Sequence, residues 1–371
     1  MPSLDLTYRS LTIRVHGPDD AHFAWLEEFL APAFGRADSD DANCDIVVDE
    51  DADALARLEM RARGAVAPAT CLVLDSQPVQ LPSWHEAADQ VVFHEEARVA
   101  YRISGDRRRI TVVTAPKNAA LRTVLMKLVR ELAMSAAWSP RGLILHAAAY
   151  VVDGQAVLIA GPRRAGKTSL LLHALRAEGV RLLSNDRVVL ELDADAAVAH
   201  GMPTIVSLRA DTVVRQFPSP SALAAALRYR FALTVQEAEG RESATDLTPR
   251  QLACSPAQLG RLFGNALVGR AAATALVLPR VDSGVRGIAL SPLDADAAAT
   301  RHGDVLFAAH AEPQVSDCFA LREHASAPSA AEVRTRWRDA VERLRVFECR
   351  LGPDAYATDP ATHLLAPLLD I

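Results

Sequence analysis

The sequence predicts a mixed α/β protein: an α+β domain over residues 1–117, a connecting helix over 118–140 and an α/β domain over 141–371. Three observations predict this. At 371 residues the chain exceeds the ~150–200 residues of one average domain. Short alternating apolar runs broken by turn signals dominate the first part. In the second part a buried-strand run, a glycine-bearing loop and a helix follow one another, as in an α/β unit.

Composition narrows the class. Half of the residues are apolar and 23% are charged, which suits a chain with a packed core and argues against disorder. The net charge of -6 argues against a nucleic-acid partner, because such binders are basic. Cys44, Cys71, Cys254, Cys318 and Cys349 are scattered with no CxxC pair, so they read as small buried thiols rather than a zinc knuckle or a dithiol site. The opening MPSLDLTYRS lacks the basic and apolar regions of a secretory signal, and no window reaches the ~18–20 apolar residues of a membrane span. The expectation is a cytoplasmic protein with no membrane partner.

In the first domain LTIRVHG at 11–17 alternates as a strand. A helix follows with Phe23, Leu26, Phe29 and Leu30 on one face. The acidic run at 38–55 holds a short strand, Ile46 to Val48, between loops. Residues 90–115 read as a strand meander with turns at His94-Glu95-Glu96-Ala97 and Gly105-Asp106. Arg107, Arg108 and Arg109 beside the last turn suit either a solvated hairpin end or a site for an anionic partner. From Asn118, a fitting N-cap, Leu121, Val124, Leu125, Leu128, Val129 and Leu132 recur at helical spacing to about Ala137.

The strongest motif begins at Gly161. Gly161-Pro162-Arg163-Arg164-Ala165-Gly166-Lys167-Thr168 satisfies GxxxxGK[ST], the phosphate-binding loop. The strand AVLIA (156–160) precedes it and the helix TSLLLHALRAEG (168–179) follows. That order lets backbone N–H groups and a helix N-terminus face a polyphosphate. Lys167 then reaches the terminal phosphates and the Thr168 hydroxyl can ligate Mg²⁺. The candidate nucleotide set is Gly161, Arg163, Arg164, Ala165, Gly166, Lys167, Thr168 and Ser169, with Arg163 and Arg164 turned either to phosphate or to water.

Before the loop, LHAAAYVV, Asp153-Gly154 and QAVLIAG read as a β-hairpin with a two-residue type I′ turn. In that register Val152 faces Gln155, and counting back sets His146 opposite Gly161, where a γ-phosphate should lie. After the loop helix, VRLLSND (180–186) is a short strand ending in Asn185-Asp186, and RVVLEL (187–192) continues. A carboxylate at such a strand end is the usual second Mg²⁺ anchor, so Asp186 pairs with Thr168 as the candidate metal set.

These pieces together resemble a known family. Leu145-His146, the loop 161–168 and the Gly-x-Arg-Leu-x-x-x-Asp-Arg-Val segment at 179–188 look like HPr serine kinase/phosphorylase and its related kinases, over roughly residues 141–290. The resemblance implies a C-terminal P-loop kinase domain similar to the phosphoenolpyruvate carboxykinase core. It carries the family's histidine to His146 and its metal-side aspartate to Asp186. The family's first aspartate, regarded as the base for the acceptor hydroxyl, is Asn185 here, a departure that bears on the reverse reaction. The candidate catalytic set is thus His146, Lys167, Asp186 and Asn185. Homo-oligomers are common in the family.

Farther on, Arg209 and Arg280 end strand-like runs and suit either a phosphate clamp or a surface ion pair. The polar stretch 236–250 suits either a lid or an inert loop. Ser329 to Glu332 reads as a capping box opening a helix to about Leu344, and 347–352 as a closing strand. The expected activity is ATP-dependent transfer to a hydroxyl of a protein or peptide and, in second place, of a small molecule. A nucleotide-dependent regulatory module and a carboxykinase-type enzyme remain as alternatives.

Overall fold

The structure is a computed structural model that describes residues 2–17, 20–37, 41–64, 67–71, 79–137, 141–193, 196–209, 212, 216, 251–307, 318–319, 321 and 328–369. The chain divides into two compact units, Met1–Pro140 with Ala308–Ala330 and Arg141–Phe307 with Ala331–Ile371.

In the first unit, β1 (Ser3–Tyr8), β2 (Leu11–His16), β3 (Gly35–Arg36), β4 (Cys44–Glu50), β5 (Ala67–Cys71), β6 (Val79–Glu86), β7 (Asp89–His94), β8 (Val99–Ile103) and β9 (Arg109–Thr114) form one sheet. Its order is β3-β1-β2-β4-β9-β8-β7-β6-β5. The meander β6 to β9 is antiparallel, and β2, β4 and β9 run parallel. Helix α1 (Asp20–Leu30) buries Phe23, Leu26, Phe29 and Leu30, the face its spacing predicts.

One expectation for this unit needs correcting. The end of the acidic run is no loop: Asp51 caps α2 (Ala52–Ala62), its side chain accepting from the Ala54 amide at 2.8 Å. Leu55 and Leu58 then pack on Val91, Phe93 and Val113 of the sheet. Helix α3 (Leu121–Ala137), expected to connect the two domains, groups with the first unit, as do Cys318, Phe319 and Leu321 farther along the chain. A chain that leaves and comes back has no local sequence mark.

In the second unit, β10 (Gly142–Leu145), β11 (Ala147–Val152), β12 (Gln155–Ala160), β13 (Arg181–Ser184), β14 (Arg187–Leu192), β15 (Ala197–Met202) and β18 (Arg270–Val281) form the main sheet. Its order is β10-β14-β15-β18-β12-β11-β13. Strand β20 (Arg345–Leu351) adds parallel to β18, and β19 (Ile288–Leu293) adds antiparallel to β20. Strands β16 (Val206–Arg209) and β17 (Gln251–Cys254) pair separately. Helix α4 (Lys167–Ala174) follows β12 and buries Leu170, Leu171 and Leu172 against the sheet. It ends five residues before the expected Gly179, with Leu175 as its cap. On the other face, helix Ala330–Arg343 packs Val333, Trp337 and Val341. The loop and the 185–186 turn thus sit at strand ends held from both faces.

Candidate phosphate-binding site

The β11–β12 hairpin has the expected register, from Val152 opposite Gln155 to Ala147 opposite Ala160. Asp153 and Gly154 both have positive φ, 51° and 78°, as a type I′ turn requires. The ladder stops one pair short of His146 and Gly161, and both residues leave it there. Gly161 turns into the loop with φ 153°. His146 is the single residue between β10, which pairs with β14, and β11, which pairs with β12 and β13. Its amide donates outward, to the Val305 carbonyl at 2.7 Å.

The same break recurs on the facing chain. Strands β13 and β14 are joined by Asn185-Asp186 alone. Leu145 pairs with Val188 and Ala149 with Ser184, so one register spans the break and sets His146 level with the 185–187 corner. The Ser184 hydroxyl donates to the Arg187 carbonyl and closes the corner. Gly201 lies over its entrance, where an added Cβ would stand 2.3 Å from the Leu183 carbonyl oxygen.

Three polar side chains meet here. His146 Nε2 is 3.1 Å from Asp186 Oδ1, and Arg187 Nε is 3.6 Å from Asp186 Oδ2. The buried Arg187 guanidinium also lies over the Phe307 ring, 4.4 Å from its centre. Burial pushes the Asp186 carboxyl up, but the His146 hydrogen bond and charge, then Arg187 and Lys167, outweigh it and hold it below its ordinary range. Burial lowers the Lys167 ammonium, with Asp186 opposing. The Lys167 Nζ donates to the carbonyls of Gly161 at 2.6 Å and Pro162 at 3.2 Å.

The loop itself is shaped for close approach. Gly166 caps α4 with φ 107°, and a Cβ there would meet Leu351 Cδ1 at 2.7 Å. Arg163 and Arg164 are exposed, and Ala165 is buried. Thr168 and Ser169 stand half-buried in the first turn, where the Ser169 carbonyl accepts from Gln216 Nε2 at 3.2 Å. A cavity of about 370 Å³ opens against Gly161–Ala165. Leu278, Val281 and Leu293 give it an apolar wall, and Arg280 and Arg301 line it together with Glu348 and Asp304, the latter 3.9 Å from Arg301. Arg280 pairs with Glu348 at 3.2 Å and Asp282 at 3.5 Å.

Asn185 stands apart from these three side chains. It is 9% exposed, and its Nδ2 donates to Thr204 Oγ1 at 2.8 Å. Its Oδ1 is buried with no hydrogen-bond partner among the described residues. Sequence reasoning missed Thr204, Arg187 and Arg301. Arg187 stood inside the motif segment, but its aromatic partner Phe307 is remote in sequence. The side chain of Arg209 and the stretch 236–250 lie outside the described residues.

No protein-family model and no curated protein matches the chain. Among solved structures it is similar to the Hpr(Ser) kinase/phosphatase from Coxiella burnetii, at 16% identity over 41% of this chain and 70% of that one, with a TM-score of 0.22. A likeness of that extent carries no argument, and what the site can do is decided by its own residues. The sheets and helices make a mixed α/β fold. No helix among the described residues is long and apolar enough to cross a membrane.

Proposed function

We propose that the chain is an ATP-dependent phosphotransferase that phosphorylates a hydroxyl of a protein or peptide in the cytoplasm. The observation that carries this is the meeting of His146, Asp186 and Lys167 beside a loop that runs from a strand into a helix N-terminus.

The residues fit a nucleotide. The loop N–H groups and α4 would take the phosphates, and the adjoining cavity offers an aliphatic wall for a base and arginines for anionic oxygens. They also fit Mg²⁺. A hydroxyl and one carboxylate, Thr168 and Asp186, are the sparse protein donor set that this ion takes when phosphates complete its shell. When bound there it would neutralise charge on the phosphates.

Each residue then has one task. Lys167 leaves the Gly161 and Pro162 carbonyls and follows the terminal phosphate. Asp186 accepts from His146 Nε2–H, which leaves the lone pair on Nδ1 to take the acceptor's proton. Arg187 keeps Asp186 ionised and in place. Asn185, tied to Thr204, holds the corner rather than moving a proton, since an amide is no base. The first unit serves for recognition of the acceptor. A second reading, a nucleotide-dependent regulatory module, is favoured only by Asn185 standing where the resembled kinases have a base.

The test is transfer of label from γ-labelled ATP with Mg²⁺ to candidate peptides by the purified full chain. Nucleotide binding with label transfer supports the kinase. Binding without transfer to any hydroxyl supports the regulatory module, and no binding of ATP or GTP removes both.

A further inference from the structure

Cys71 and Cys318 are 247 positions apart in sequence, and their sulfurs are 2.9 Å apart in the first unit. Closing a bond of ~2.05 Å needs about 0.9 Å of further approach. We propose that this pair is a redox modification site, which a hydroperoxide converts to a disulfide that clips the returning chain to the edge of the first unit's sheet.

The surroundings build the pair. Cys71 ends β5, the last strand at one edge of the sheet. The Cys318 amide donates to the Thr70 carbonyl at 2.9 Å, which sets Cys318 beside the end of β5. Three further contacts hold it: Arg107 Nη1 donates to the Cys318 carbonyl at 2.6 Å, Phe319 meets Tyr101 edge-on at 4.9 Å, and the Leu321 amide donates to Ser135 Oγ at 3.2 Å. Both thiols are buried. This contact comes from chain topology, which is why the scattered spacing hid it.

The chemistry balances with a hydroperoxide as the oxidant. One cysteine sulfur attacks a peroxide oxygen, the O–O bond breaks, and a sulfenic acid and water (or an alcohol) form. The second sulfur displaces the sulfenic oxygen, the S–S bond forms, and a second water leaves with the remaining thiol proton. The two sulfurs lose two electrons and the peroxide gains them. Because both thiols are buried, the oxidant that reaches them is a small one. Cys44, Cys254 and Cys349 are buried one by one, and burial pushes each up to about 12, which keeps them protonated and inert.

The test uses the intact full chain treated with hydrogen peroxide, then denatured and alkylated without reductant. The reduced protein should take an alkyl group on each of its five cysteines. The oxidised protein should take them only on Cys44, Cys254 and Cys349, and should weigh about 2 Da less before alkylation, two hydrogens having been removed. A non-reducing digest should yield one cross-linked peptide that joins Cys71 to Cys318 and is released by dithiothreitol. In Cys318→Ser the cross-link should vanish, and Cys71 should remain alkylatable. Full alkylation of all cysteines after peroxide, or a cross-link joining any other pair, would overturn the proposal. The wild-type map decides the matter even where a variant folds poorly.

Discussion

His146 Nε2 lies 3.1 Å from Asp186 Oδ1, and this contact joins a residue that interrupts one strand to a residue at the corner of its neighbour. It assigns unlike tasks to His146 and to Asn185 beside it. Loss of a general base costs ~10²–10⁴-fold in rate, whereas a corner residue that moves no proton costs less. In single-turnover assays His146→Ala should therefore slow phosphoryl transfer by ~10²–10⁴-fold, and Asn185→Ala by less. Asn185→Asp should be tolerated and should favour the reverse reaction. An inactive Asn185→Ala beside a near-normal His146→Ala would reverse the roles.

Lys167 rests on the Gly161 and Pro162 carbonyls and exchanges them for phosphate oxygens on binding. A charged hydrogen bond contributes about 1.5–3 kcal/mol. Lys167→Ala should therefore weaken Mg·ATP binding by roughly 10–100-fold, as titration calorimetry would read. Unchanged affinity would mean that the nucleotide binds elsewhere.

Gly166 combines a positive φ with a missing Cβ that Leu351 would strike. Gly166→Ala should destabilise the protein by roughly 1–3 kcal/mol and also impair nucleotide binding. Urea unfolding reads the first effect and calorimetry the second. A fully stable variant would show that the loop relaxes freely around this position.

The parts of this site that were legible in sequence are those set by local chemistry. Asp153-Gly154 has only one short way to turn a hairpin, and its register led directly to His146. The GxxxxGK[ST] spacing needs its strand and helix for the same local reason. What was hidden depends on distant chain. Thr204 reaches Asn185 across 19 positions, Phe307 covers Arg187 from a loop far downstream, and Arg280 and Arg301 meet the phosphate loop only through β18 and the chain after β19. Capping escaped notice at Asp51 because the acidic run around it masked a cap as one more charge.

His173 offers a pH signature that is independent of the reaction. It sits in α4 with no exposed area, with Thr358 Oγ1 3.4 Å from Nε2, Arg176 Nη1 3.4 Å from Nδ1 and the Tyr356 ring 5.7 Å away. Burial lowers its pKa from 6.5 to about 4, the Arg176 and His363 charges add to this, and Asp359 opposes. The folded imidazole is thus neutral at a pH where the unfolded one takes a proton. Stability from this group is intact above pH 6.5, falls as pH drops towards 4, and falls no further below that. At pH 5 the loss relative to pH 7 should be about 2 kcal/mol, from 1.36 kcal/mol per pH unit. Carboxylates contribute little in this window, because those held low in the folded state lose their stabilisation only below their ordinary values. Urea unfolding of the wild type and of His173→Gln at pH 7, 6 and 5 separates the terms. The variant should be less stable at pH 7, through lost packing, but should lose about 2 kcal/mol less than the wild type between pH 7 and pH 5. Parallel curves for the two proteins would mean that His173 is already protonated in the folded state, or that its pocket opens well before the protein unfolds.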